Sequence, residues 1–301
     1  MVPEGPGEGL PFPLVMMTHV EAYRGMTHVE AYRGTFGDPH PARLRGLPLP
    51  PGPMPGRCGL RPLKAWRYVA IFTPELMMCA AAVRIGPARQ AFWAIWDRAA
   101  GRLHERTVNG RGGVRLTPGR LMLAELELDA TLAEQPGIET VCPSGGAYGW
   151  TRKQGGIAAH GTLRLEGRAR SFAGRAIVDD TAAYYERHTH WRWAAGVGTD
   201  RDGRAVAWNL VDGVNDPLEH SERTIWVDGV PREPPPQPFA ADLSSVGELR
   251  FAAECERRRR EHRGLVRSRY RQPFGTVSGT LPGGVELGDG MGVMEDHEVW
   301  W

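Results

Sequence analysis

Short apolar runs separated by glycine-containing turns constrain this chain more than any other feature. Residues 66–72 end at Thr73-Pro74-Glu75, and 91–96 end at Asp97-Arg98 before Gly101. Residues 161–165 meet Glu166-Gly167 and the apolar pattern resumes over 169–178. Residues 191–197 lead to Asp202-Gly203 and then 204–210, and 225–227 run into Asp228-Gly229. Asp-Gly between apolar runs is the strongest short-range hairpin signal, because both residues of the tight turn need positive φ. Many short strands at such spacing predict an all-β sandwich or barrel. Residues 75–104 are rich in Ala, Met and Leu and have helical propensity too, but the punctuation around them assigns them to strands.

The first 57 residues read differently. MTHVEAYRG at 17–25 recurs unchanged at 26–34. Structural repeats drift and need three or more copies to build a core, so one perfect duplication reads as a recent slip in a segment that tolerates insertion. Pro41, Pro48, Pro50, Pro51, Pro53, Pro55 and Pro62 then keep the chain out of any sheet interior. Residues 1–57 are expected to be a Pro/Gly-rich, largely irregular arm, with recognition by a proline-binding module as the alternative.

Composition removes several function classes. Lys+Arg is 37 against 35 Asp+Glu, a net charge of +2, which gives no warrant for a nucleic-acid or acidic-membrane partner. Mean hydropathy is −0.38, and no apolar stretch approaches the ~18 residues of a membrane span. Lys64 and Lys153 are the only lysines. Arginine is therefore a chain-wide bias, and Lys153 stands out more than any single arginine. The arginine run at 257–260, flanked by Glu254, Glu256 and Glu261, reads as a solvated, salt-bridged hairpin end rather than an anion site. Cys58, Cys79, Cys142 and Cys255 contain no C-x-x-C pair, and the N-terminal residues lack a basic and apolar leader pattern. The expectation is a cytoplasmic protein with reduced thiols. No phosphate-cradling loop, G-x-S-x-G elbow or H-E-x-x-H occurs.

Chemistry-bearing residues concentrate at 179–193. On a strand, His188, His190 and Arg192 share one face, and Thr189, Trp191 and Trp193 share the other. His188 and His190 suit a metal only with a third ligand from His160, His220, His297 or a carboxylate, and nothing selects one, so no metal or cofactor is assigned. Trp191 and Trp193 fit either a core or a pocket wall, and in a barrel these readings merge. Asp179, Asp180, Glu222, Asp228, Glu295 and Asp296 are the carboxylates considered for acid–base work, Asp228 being better explained by its turn. Asp179 and Asp180 are adjacent, so only one can enter a cavity. An acid facing apolar walls tends to keep its proton and can donate it at neutral pH.

Several stretches together carry a resemblance. They are Leu63-Lys64-Ala65-Trp66-Arg67-Tyr68 with Thr73-Pro74-Glu75, Thr151-Arg152-Lys153-Gln154, the 179–193 block, Trp208-Asn209-Leu210, Ile225-Trp226-Val227-Asp228-Gly229 and Gln272-Pro273-Phe274-Gly275-Thr276. In that order, over residues 58–301, the chain resembles bacterial domain-of-unknown-function family 2804. It departs from the family pattern at Ala183, where glycine is usual, and at Glu186, where proline is usual. The second half is more distantly similar to the carotenoid 1,2-hydratase (hydroxyneurosporene synthase) group.

The resemblance implies a calycin-type, all-β architecture of two consecutive lipocalin-like antiparallel β-barrels, expected over 58–170 and 171–301. It implies a lipophilic small molecule near their interface, with Asp179 or Asp180 as proton donor in cofactor-free hydration or isomerisation. Trp191, Trp193 and Trp226 would hold the ligand, with Thr189 on the same strand face, and Lys153 or Asn209 would orient its polar end. The alternatives are a non-catalytic lipid or metabolite carrier and, behind it, a His-based metal enzyme.

Overall fold

The turns read from sequence close hairpins in the computed structural model, which describes residues 29–301 apart from 111 and 265. At Glu166-Gly167 φ is 50° and 78°, and at Asp228-Gly229 it is 49° and 79°. Both central residues are left-handed, as the type I′ hairpin turn requires.

The described strands are β1 (Tyr32–Thr35), β2 (Arg57–Cys58), β3 (Arg61–Pro62), β4 (Lys64–Phe72), β5 (Leu76–Ile85), β6 (Ala88–Asp97) and β7 (Arg102–Asn109). Next come β8 (Val114–Thr117), β9 (Arg120–Leu123), β10 (Leu128–Leu132), β11 (Ile138–Ser144), β12 (Ala147–Leu165) and β13 (Arg168–Ala183). The remainder are β14 (His188–Asp200), β15 (Ala205–Asp212), β16 (Thr224–Val227), β17 (Val230–Arg232), β18 (Ser245–Val246), β19 (Leu249–Arg263), β20 (Val266–Leu281) and β21 (Val285–Trp300). The segment with mixed propensity, 75–104, is β-structure.

Among the described residues the strands form two large antiparallel sheets, one after the other in the chain. The first runs β7-β6-β5-β4-β13-β12-β10-β9-β8, with β11 pairing β12 and β1 pairing β11. It curls until β8 packs against β5 and β6. The second runs β17-β16-β15-β14-β21-β20-β19-β18. Period-2 alternation gives each sheet two apolar faces. Val69, Ile71, Val178 and Leu121 fill the curl of the first sheet. Ala194, Trp208, Leu249 and Met294 form the second sheet's own cluster. Between the sheets lies a third cluster, with Tyr68, Ile177, Trp191, Trp193, Phe274 and Val293.

The chain leaves the first sheet after Ala183 and enters the second at His188, so residue 170 lies inside β13. Glycine punctuation does not show this, because Gly174 is a strand-interior residue. A Cβ there would lie 2.2 Å from the Phe72 carbonyl oxygen, so glycine marks a close strand approach, not an end.

Part of the N-terminal arm is seated on the first sheet. Tyr32–Thr35 pairs with β11. Tyr148 and Tyr184 donate hydroxyl hydrogen bonds of 2.8 Å to the carbonyls of Pro48 and Pro55. The first copy of the nine-residue repeat lies outside the described residues, and the second is described from Val29. Among the described residues no cysteine pair is bonded, and no helix is long and apolar enough to cross a membrane.

Candidate functional site between the two sheets

Strand alternation decides what faces the inter-sheet layer. On β13, Ile177, Asp179 and Thr181 point into it, and Val178 points into the first curl. On β14, Trp191 and Trp193 point into it. A cavity of about 100 Å³ opens here, walled by Trp66, Tyr68, Phe92, Trp191, Trp193 and Trp301. This is room for a small molecule rather than a single water.

Polar groups enter this apolar space from both sheets. From the first, Lys153 and Asp179 are directly paired across β12 and β13, with Nζ to Oδ1 at 2.6 Å. Asp179 also accepts from Thr181 at 2.8 Å and from the Trp66 indole at 3.3 Å. Three donors from three residues therefore fix the position of this one carboxyl group. Lys153 also reaches Glu222 at 3.2 Å. Burial disfavours the Lys153 ammonium, but Asp179 and Glu222 outweigh it and hold its pKa above the usual lysine value. Glu222 accepts from Asn215 at 3.0 Å, and Asn215 donates at 2.6 Å to Tyr185. Burial, only partly offset by Lys153, pushes the Glu222 carboxyl up to about 7.

From the second sheet come Glu295, Tyr270 and His297. Glu295 accepts from the Trp191 indole at 2.8 Å and from Gln272 at 3.1 Å. Burial pushes its carboxyl up to about 7. The Tyr270 hydroxyl is buried and, among the described residues, makes no hydrogen bond of ordinary geometry. Burial first, and then charges including that of Glu295, raise its pKa well above the ordinary tyrosine value. His297 meets Ser268 at 2.8 Å. Burial, with the Arg257 and His190 charges, pushes its imidazole well below the usual range, so it is neutral at pH 7. The two acids are thus presented alike. Trp66 holds Asp179, Trp191 holds Glu295, and the two indoles are parallel within 6° at 6.2 Å between centroids.

Four of the eight residues singled out from sequence line this cavity: Lys153, Asp179, Trp191 and Trp193. Asn209 stands behind the wall, accepting from the Trp193 indole at 2.8 Å and donating to the Glu222 carbonyl at 2.9 Å. Asp180 lies on the opposite face of β13, bound by Arg67 at 2.7 Å. Thr189 accepts from the Trp301 indole at 2.9 Å and so tethers that wall residue. Trp226 lies outside the cavity, against Gly155, where a Cβ would come within 2.4 Å of the indole. His188 and His190 pair with Glu298 and Asp296 across strands. His160 and His220 are exposed elsewhere, and among the described residues no three His, Cys, Asp or Glu side chains gather around a metal-sized site.

Sequence reasoning named Glu222 and Glu295 as carboxylates but did not bring them to the site. Glu295 was within reach of alternation, since Val293, Glu295 and His297 share a face of β21. Glu222 lies between β15 and β16, where no periodicity operates. Its position is secured by Arg33 of β1, which donates to the Ser221 carbonyl at 2.6 Å and the Arg223 carbonyl at 3.1 Å, on either side of it.

Residues 110–231 match the family model described as a domain of unknown function (DUF2804), the family the sequence resembles. No curated protein matches the chain. Solved structures similar to it include kievitone hydratase from Nectria haematococca, at 9% identity over 79% of this chain and 88% of that one, with a TM-score of 0.42. CghA in complex with Sch210972 is similar at 13% identity over 90% of this chain and 98% of that one, with a TM-score of 0.40.

Proposed function

We propose that this protein binds a small lipophilic alkene in the inter-sheet cavity and hydrates or isomerises it by acid–base chemistry carried by its own side chains. The observation that carries this reading is the pairing of Glu295, pushed up to about 7, with Asp179, held by three donors, across one aromatic-walled cavity. A carboxyl near 7 keeps enough proton at neutral pH to be a general acid, and Asp179 opposite, fixed by its three donors, serves as the base.

In hydration, the Glu295 carboxyl donates its proton to one alkene carbon. Water attacks the other carbon, and Asp179 takes the proton that the water gives up. In isomerisation, Asp179 instead removes a proton from a neighbouring carbon. Either route leaves Glu295 ionised and Asp179 protonated, and exchange with solvent restores both. The indole faces of Trp66 and Trp191 favour the cationic centre between these steps. Lys153 orients Asp179 through the 2.6 Å contact, and the Tyr270 hydroxyl, in the cavity wall beside Glu295, can turn toward a polar atom of the ligand. On this reading Glu295 is the proton donor in place of Asp179 or Asp180, and Asp179 is the base.

The cavity size directs the probe to a ten-carbon monocyclic alkene such as limonene. Binding is read by quenching of tryptophan fluorescence, and turnover by ¹⁸O incorporation from labelled water or by migration of the double bond. The reading requires that Glu295→Gln and Asp179→Asn bind the probe and lose at least 100-fold in turnover. Binding without turnover in the unmodified protein leaves a carrier. Absence of quenching by this probe and by other ten-carbon alkenes overturns the site.

A further inference from the structure

The face of the second sheet turned away from the first carries a second unusual arrangement. Arg192, Asp296, Arg271 and Arg258 stand side by side on four adjacent strands. His190, Glu298, Arg269 and Arg260 form the next rung. Each rung therefore contains a directly opposed arginine pair, Arg258 with Arg271 and Arg260 with Arg269. Like charges directly opposite each other on a sheet destabilise it unless something neutralises them.

The first pair is neutralised within the chain, because both guanidinium groups reach Glu256 at 2.7 Å. The second is neutralised on one side only. Arg269 reaches Glu298 at 3.0 Å, and Glu298 is shared with His188. Arg260 has no carboxylate partner among the described residues. Both arginines border a basin of about 720 Å³ and the adjoining hollow of about 550 Å³. A compositional bias toward arginine explains how many arginines there are. It does not explain two in register at the junction of two open hollows, with Arg258, Arg271 and Arg192 lining the larger one.

We propose that the Arg260–Arg269 rung is a binding site for a phosphoryl or diphosphoryl group. Two planar guanidinium forks facing one space match the oxygens of such a group, and a doubly charged anion neutralises the rung as Glu256 neutralises its neighbour. A soluble phosphate ester and a phospholipid headgroup offer the same chemistry.

The test is calorimetric titration of the full chain with inorganic pyrophosphate at about 0.15 M salt, where charges farther apart than ~8 Å are largely screened. Saturable binding that weakens at least tenfold in Arg260→Ala/Arg269→Ala, and is retained in Arg201→Ala, supports the site. Arg201 is exposed and paired with Glu286 on another hairpin, so it reports general charge. All three side chains are exposed, and far-ultraviolet circular dichroism checks that the variants fold. If pyrophosphate fails but phosphatidate vesicles bind in an Arg260-dependent way, the group comes from a lipid. Equal binding by wild type and the double variant, equal loss in Arg201→Ala, or no binding to either probe overturns the proposal.

Discussion

Lys153 and Asp179 are directly opposed residues of β12 and β13, and their charged atoms meet at 2.6 Å with both side chains buried. Lys153 also serves Glu222, so one ammonium balances two carboxyls taken out of water. The chain's other lysine, Lys64, is likewise buried and donates to the Tyr185 carbonyl at 2.6 Å.

Lys153→Met removes that ammonium and leaves two carboxyls buried together. Breaking a buried ion pair from one side costs about 3–5 kcal/mol. The abandoned carboxyls recover by taking up protons, so the loss shrinks as pH falls from about 7 toward about 4.5, the ordinary glutamate range. Urea midpoints of wild type and variant at pH 5 and pH 7.5 check this. An equal loss at both values means that the charges are not what the lysine holds.

Glu222 and Glu295 carry their own pH dependence. Each is pushed up to about 7 from an ordinary 4.5. The folded protein therefore keeps protons that the unfolded chain releases. Their contribution to stability is full below about 4.5 and is lost as pH rises through about 7. For Glu295 the loss is on the order of 3 kcal/mol. Glu295→Gln should flatten the decline between pH 5 and pH 8 in a series of denaturant melts, and an unchanged slope would rule out Glu295 as its source.

Arg33→Ala should loosen the segment carrying Glu222. Arg33 supplies hydrogen bonds to the Ser221 and Arg223 carbonyls and, at 2.9 Å, to Thr224 Oγ1. Bonds from a charged donor are worth roughly 1.5–3 kcal/mol each, and removing the donor leaves the part-buried acceptors unmatched. Hydrogen exchange read by mass spectrometry should show faster exchange at 213–224 with protection of β4 and β13 retained. Unaltered exchange there would make the arm a passive strand.

Asp180→Asn separates the two adjacent aspartates. Asp180 faces Arg67 and Arg152 on the side of β13 away from the cavity. The variant should lose roughly 1–3 kcal/mol of stability and keep the tryptophan response to a ten-carbon alkene. A lost response with unchanged stability would move the site to the other face of the strand.

The hairpins and the strand faces were legible because each depends on near neighbours. Asp-Gly tolerates positive φ, and side chains alternate with period two. That local logic separated Trp191 and Trp193 from His190 and Arg192, and Asp179 from Asp180, without any fold. It could not say which aspartate faces the cavity, that Gly174 and Gly155 lie within strands, or that Trp226 packs on Gly155 instead of lining the pocket. Nor could it bring Glu222 and Glu295 to Lys153 and Asp179. Those relations depend on register between distant strands and on one sheet packing against the other. Sequence by itself determined the β-architecture and the two faces of each strand; tertiary packing alone decided which charges share a buried space, because burial and Coulomb interaction depend on distance in space and not along the chain.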